Sequence, residues 1–146
     1  MAINVSTKIE ISRPIEEAAA YTFDPSNDPV WIGGISKANL LTERPVGKGT
    51  RVQRLAKFMG KTIDYILEVT EFEENHLMVM KSVKSPFPMI VTYQFDKINE
   101  NKTLAQIRVE GSVKGFYKLF DFMMAPMVKK NITADIKRLK NILEKS

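Results

Sequence analysis

The feature that most constrains this chain is a change of hydrophobic period along it. Residues 2–12, AINVSTKIEIS, alternate: Ile3, Val5, Thr7, Ile9 and Ile11 lie on one side, Asn4, Ser6, Lys8 and Glu10 on the other. A period of two held this long means a strand with one buried face. The rhythm returns in TIDYILEVTEF, where Ile63, Tyr65, Leu67 and Val69 oppose Asp64, Ile66, Glu68 and Thr70. It returns again in MIVTYQFDKI, with Met89, Val91, Tyr93 and Phe95 on one face, and in TLAQIRVEGSV, where Ala105, Ile107, Val109 and Gly111 oppose Gln106, Arg108 and Glu110. Then the period changes. Val128, Ile132, Ile136, Leu139 and Leu143 are spaced 4, 4, 3 and 4, a single apolar stripe on a helix from about 127 to 145.

The segments between these runs complete the order of elements. RPIEEAAAYTF predicts a helix of about 10 residues, with Pro14 at its first position and Glu16 and Glu17 where the helix dipole favours anions. DPSNDP breaks the chain, and VWIGGI allows one short helical turn before its glycines. From about 36 to 115 everything reads as strand and turn. Gly47 and Gly49 in PVGKGTRV lead into a strand, which makes this a hairpin turn; a phosphate-binding glycine loop would lead into a helix. FMGKT, EENH and NENK are further turns, and SPFP interrupts the strand HLMVMKSV. Pro126 suits the first turn of the long helix, with residues 116–125 forming a separate helical piece upstream.

Consecutive hairpins imply an antiparallel sheet, and one-sided strands and a one-sided helix must cover each other. The expected fold is therefore α+β: a sheet curling around the C-terminal helix, with a cavity between them. The 146 residues suit one domain, 1–146, with a core of its own. Absence of cysteine excludes disulfides and thiol catalysis and suits a reducing compartment. MAINVSTKIEIS has neither the basic nor the apolar region of a signal peptide, so a cytoplasmic location is expected. No apolar run approaches the ~20 residues of a membrane span.

The formal net charge of +5 is uneven. Lys129, Lys130, Lys137, Arg138, Lys140 and Lys145 face only Asp135 and Glu144 in the last 18 residues. A basic end can serve nucleic acid or an anionic membrane. Zinc-finger spacing, RNP-type aromatics and long basic runs are missing, so no nucleic-acid partner is expected and the basic residues read as a solvated helix face.

The order of elements resembles the helix-grip fold of the START-like, or SRPBCC, superfamily. IEISRPIEEAAAYTFDPSNDPVWIGGI resembles the opening of its polyketide cyclase/dehydrase-like members: strand, Pro-Glu-Glu helix start, Asp-Pro break, then a Trp before a Gly. PVGKGTRV resembles their Gly-x-Gly turn into the third strand, and the C-terminal helix fits as well. The resemblance implies a curved antiparallel sheet of about seven strands wrapped around the long helix, two small helices after strand one, and a deep apolar pocket.

Several residues are candidates for that pocket. Arg54 shares a face with Val52, Ala56 and Phe58; a buried guanidinium needs an acid or an anionic ligand, so it either orients a head group or pairs with a structural acid. Tyr65 and Tyr93 fall on inward faces and each offers a hydroxyl, either to a ligand or to a local hydrogen bond. Trp31 either lines the cavity or packs the small helix onto the sheet. In KGFYKLFDFMMAPMVKK, Phe116, Phe120, Met123, Met124 and Met127 fall near one helical face. Met suits surfaces that adapt to more than one shape, so the stretch reads as a lid and wall, with Phe87 in SPFP facing it; plain core and a membrane-touching or dimerising patch are the other readings. His76, in EENH, reads as solvent-exposed, and Asp64 and Glu68 as sheet exterior. One histidine without cysteine argues against a transition-metal site, and no cofactor is expected.

The expected function is binding of a small apolar or amphipathic molecule, such as a lipid, isoprenoid or aromatic polyketide-like compound. The alternatives are a cyclase/dehydratase-type enzyme moving protons with Tyr65, Tyr93 or Arg54, and a membrane- or partner-docking module using residues 116–127, with transient membrane contact.

Overall fold

The computed structural model describes residues 3–58, 60–84, 88–111 and 118–145, with the side chains of 58 and 118–124 outside that description. Seven strands form a single antiparallel sheet: β1 (Ile3–Ile11), β2 (Ile35–Leu40), β3 (Arg51–Phe58), β4 (Lys61–Glu73), β5 (Leu77–Lys84), β6 (Met89–Asn99) and β7 (Lys102–Gly111). Their order is β1-β7-β6-β5-β4-β3-β2, so every neighbouring pair but one is a hairpin and only β1 leaves its chain neighbours to pair with β7. Helix α1 (Ile15–Thr22), a 3-10 turn (Pro25–Asn27) and the single-turn α2 (Asp28–Trp31) fill the connection from β1 to β2. The long α3 (Lys118–Lys145) lies along β1 and also touches β7 and α2. This curled sheet gripping a long C-terminal helix is the helix-grip fold that the resemblance implied.

The alternation holds where it was read. Val91, Tyr93 and Phe95 are buried along β6, and their intervening neighbours are less so. In β4, Tyr65, Leu67 and Val69 are buried. The register shift between Val69 and Glu71 inserts an extra residue in β4 against β5, that between Ile66 and Leu67 inserts one in β5, and a further shift lies between Ile35 and Lys37 of β2. Such bulges add local twist and bend, in keeping with a sheet that curls.

Three local expectations are corrected. The predicted break at DPSNDP is two short helices, because Asp24 accepts a hydrogen bond from Ser26 N (3.1 Å) and starts the 3-10 turn with Pro25 at its first position. Pro14 stands before α1 rather than in it, with an extended ψ of 147°, so the helix has eight residues. Residues 118–145 are one helix that passes through Pro126, where a separate upstream piece was expected. A proline costs a helix one amide donor; the turns on both sides of this one nevertheless continue. The PVGKGTRV turn is the end of a longer loop, residues 41–50, tied to β4 by Gly49 N–H to Val69 O and Val69 N–H to Thr50 O, both 2.8 Å. Gly49 sits at φ +93°, a conformation that glycine adopts without a Cβ penalty.

The core is unevenly distributed along the sheet. Phe23, after α1, packs on Phe95, Phe72 and Tyr93 with ring centroids 5.2, 6.1 and 6.4 Å apart. Ile11, Leu67, Met78, Met80 and Leu139 are sealed from solvent around them. Elsewhere the described residues leave a cavity, lined by small residues (Ala56, Gly111, Ala134) among larger apolar ones.

Candidate functional site

A cavity of about 540 Å³ lies between the concave sheet, α3 and the α2–β2 junction. Its apolar wall among the described residues includes Ile35, Ala56, Ile63, Tyr65, Met89 and Val109 from five different strands, with Val128 and Ala134 from α3. Each strand residue owes its place to the period-two pattern, and each helix residue to its position on or beside the apolar stripe. Gly111 closes the far corner: a Cβ there would stand 2.9 Å from Pro88 O, so only glycine lets the ends of β6 and β7 approach this closely.

The polar part of the wall sits where α3 crosses the α2–β2 junction. Asp135 Oδ1 accepts from Gly33 N–H (3.0 Å) and from Arg138 Nη1 (3.1 Å), and Arg138 Nη1 also donates to Trp31 O (2.8 Å). Burial pushes the Asp135 carboxyl above its ordinary range, and the Gly33 amide and Arg138 draw it back only in part. Arg138 is the exposed member, with its side chain 43% accessible.

Beneath the cavity lies a second, sealed cluster. Arg54 donates from Nε to Asp28 Oδ2 (2.9 Å) and from Nη2 to Tyr93 Oη (3.1 Å), and its Nη2 stands 2.8 Å from Asp28 Oδ2 as an ion pair. Burial disfavours the Arg54 charge, but Asp28, with Tyr93 and Tyr65, outweighs it and holds the guanidinium protonated. Burial likewise pushes Asp28 and the Tyr93 phenol upward against the pull of Arg54. Trp31 packs on Tyr93 at 5.7 Å, and its Nε1 has no hydrogen-bond partner among the described residues.

The expected site residues therefore part company. Tyr65 is in the cavity wall. Arg54 and Tyr93 are engaged with each other and with Asp28. Trp31 is buried behind the wall, next to Ile32 and Gly33, which line it. Met127 is half-buried, and its neighbour Val128 is the one that lines the cavity. Phe87 and Phe116 lie outside the described residues, as do the side chains of Phe58, Phe120, Met123 and Met124. His76 is half-exposed, its Nδ1 2.8 Å from Phe95 O and 3.4 Å from Asp96. Asp64 accepts from Gln53, and Glu68 pairs with Arg51 at 2.8 Å, both on the outer face. Among the described residues no three potential metal ligands converge, and no helix is long and apolar enough to cross a membrane.

Three polar residues at or under the cavity were not singled out from the sequence: Asp28, Asp135 and Arg138. Asp28 read as part of a chain break. Asp135 carried a legible signal, since it follows Ile132 by three and precedes Leu139 by four, which sets a carboxylate on the apolar arc of α3.

A curled seven-stranded antiparallel sheet gripping a long C-terminal helix defines the START-like class of fold. Within that class the chain belongs to the family described as polyketide cyclase / dehydrase and lipid transport, whose pattern matches residues 2–144. Solved structures agree on the fold. TTHA0849 from Thermus thermophilus superposes with a TM-score of 0.82 at 17% identity, covering 96% of both chains. A START superfamily protein from Mycobacterium smegmatis gives 0.73 at 20% identity, covering 97% of this chain and 94% of that one. The Zhui aromatase/cyclase from Streptomyces sp. R1128 gives 0.78 at 13% identity, covering 97% and 93%. No curated protein matches the sequence.

Proposed function

We propose that this protein binds a small, mainly apolar molecule (a lipid, isoprenoid or aromatic polyketide-like compound) in the cavity between the sheet and α3. One observation carries the reading. The concave sheet, α3 and the α2–β2 junction together line a cavity of about 540 Å³ with a mainly apolar wall, whereas a second cavity of about 530 Å³, beside Phe23 and Phe72, is bordered by Asp24, Arg44 and Glu74. The volume of the first falls within the range of small-molecule sites, roughly 300–1,000 Å³. Enclosure supplies the affinity, at about 25 cal/mol for each Å² of apolar surface removed from water. The family's description, which includes lipid transport, supports the same reading.

The test is thermal unfolding of ligand-stripped protein against fatty acids, isoprenoids, sterols and aromatic polyketide-like compounds. A binder present at 100 times its dissociation constant adds ~2.7 kcal/mol, which raises Tm by roughly 5–10 °C for a domain of this size. Ala56→Trp fills the cavity and should erase the shift while leaving the protein folded. A shift that survives Ala56→Trp would move the ligand elsewhere, and no shift with any compound would refute the reading.

A further inference from the structure

The polar corner of the cavity has unused hydrogen-bonding capacity of both kinds. Asp135 is 8% exposed and lies in the cavity wall. Both of its hydrogen bonds go to Oδ1, and Oδ2 has no partner among the described residues. Arg138, three residues on, commits Nη1 to Trp31 O and Asp135 Oδ1; its Nη2 and Nε are likewise without partners there. One spare acceptor and spare donors thus stand side by side on one helix, at the edge of an apolar chamber. Gly33 helps to keep them there: a Cβ at this position would come within 3.1 Å of Arg138 Nη1.

Resting on the binding function proposed above, we infer that the ligand carries a neutral hydroxyl on its apolar body, an alcohol or phenol, and that Asp135 and Arg138 recognise it together. A hydroxyl is the smallest group that satisfies both residues at once. Its O–H donates to Asp135 Oδ2, and its lone pairs accept from Arg138 Nη2 or Nε. The pair is balanced in charge. A carboxylate drawn to Arg138 meets the negative charge of Asp135, and an amine drawn to Asp135 meets the guanidinium. An ether accepts from Arg138 but leaves Asp135 Oδ2 unmatched, and an unmatched buried polar group is what gives a hydrogen-bonding site its selectivity. Here Asp135 and Arg138 act on specificity, while the apolar wall supplies affinity.

Matched probes separate the two claims. Farnesol, farnesoic acid and farnesyl methyl ether form one set; tetradecanol, tetradecanoic acid and methyl tetradecyl ether a second; 2-naphthol, 2-naphthoic acid and 2-methoxynaphthalene a third. Dissociation constants are measured at neutral pH by displacement of an apolar fluorescent dye from stripped protein. In every set that binds, the hydroxyl compound should bind on the order of tenfold tighter than the acid and the ether, the worth of one hydrogen bond to a charged group. Asp135→Asn, which keeps an oxygen for Gly33 N–H, should remove the repulsion and make the acid the best of its set. Arg138→Gln should weaken the hydroxyl compound and its ether to a similar extent, since both accept from Arg138, and leave the alcohol preferred through Asp135. Equal binding of alcohol, acid and ether, or an alcohol preference that persists in Asp135→Asn, would overturn the hydroxyl proposal while leaving the cavity reading intact. No binding by any of the sets would overturn both.

Discussion

Two Arg–Asp pairs flank the short α2 segment, and they differ in almost everything except chemistry. Arg54–Asp28 is closed, with side chains 5% and 2% accessible, and its third partner is the Tyr93 hydroxyl. Arg138–Asp135 is open, at 43% and 12%, and retains donors and an acceptor that the described residues do not use. The first pair joins α2 to the middle of the sheet; the second joins the α2–β2 junction to α3. The difference shows how one interaction type serves two ends. Sealed from water and saturated with partners, it holds a structure together; at a cavity edge and unsaturated, it is available to a ligand.

The sharpest way to break the comparison is Asp28→Ala. It leaves Arg54 buried without its acid, which typically costs about 3–5 kcal/mol, and chemical denaturation should show a loss of that size. Asp28→Ala combined with Arg54→Met should recover part of it, since no buried charge then lacks a partner. A loss below about 1 kcal/mol would mean that the sealed pair behaves like a surface one.

Gly33→Ala probes the open pair. The new methyl displaces the accessible Arg138 tip, and the loss of its bond to Trp31 O should cost about 0.5–1.5 kcal/mol. A much larger loss would show that Arg138 is as rigidly held as Arg54.

Asp135→Asn, followed by urea unfolding from acid to neutral pH, tests the carboxyl itself. Burial raises its folded-state value above the ordinary 3.8, so the native state holds the proton more readily than the unfolded chain does. Wild type is therefore most favoured over the variant below pH 3.8, and that advantage declines as pH rises through the raised folded-state value. A difference independent of pH would show that the site does not perturb Asp135.

Glu144→Gln supplies the surface reference and the smallest effect, less than about 1 kcal/mol. Glu144 accepts from Lys140 (2.6 Å) and Ser12 N–H (2.7 Å), and these bonds hold its carboxyl below the ordinary 4.5. The sign is opposite to that of Asp135: the wild-type advantage is present above 4.5 and is lost as pH falls through the lowered value. An advantage that grows in acid would refute this assignment.

Much of the fold was legible because alternation is a local property. Each strand states its buried face within ten residues, and the stripe from Val128 to Leu143 states the helix face. Together they implied a curled antiparallel sheet around one helix. The misreadings arose where a neighbouring group decides the backbone: Asp24 capping the turn at Ser26, and the helix continuing through Pro126. The site was less legible. Tyr65 followed from period two, and the need of Arg54 for a partner followed from its burial. The partner did not, because Asp28 is 26 residues away and reads as part of a turn.

Residue pattern alone set which face of each element is apolar, the order of the elements, and hence that a one-sided sheet must cover a one-sided helix. It took the folded chain to settle where the cavity lies, which acid meets Arg54, and that Asp135 and Arg138 meet the backbone of Gly33 and Trp31. The reason is physical. Hydrophobic periodicity depends on residues a few positions apart, whereas cavity volume and ion pairing depend on the distance between groups that the chain brings together only by folding, such as Asp135 and Gly33, 102 residues apart.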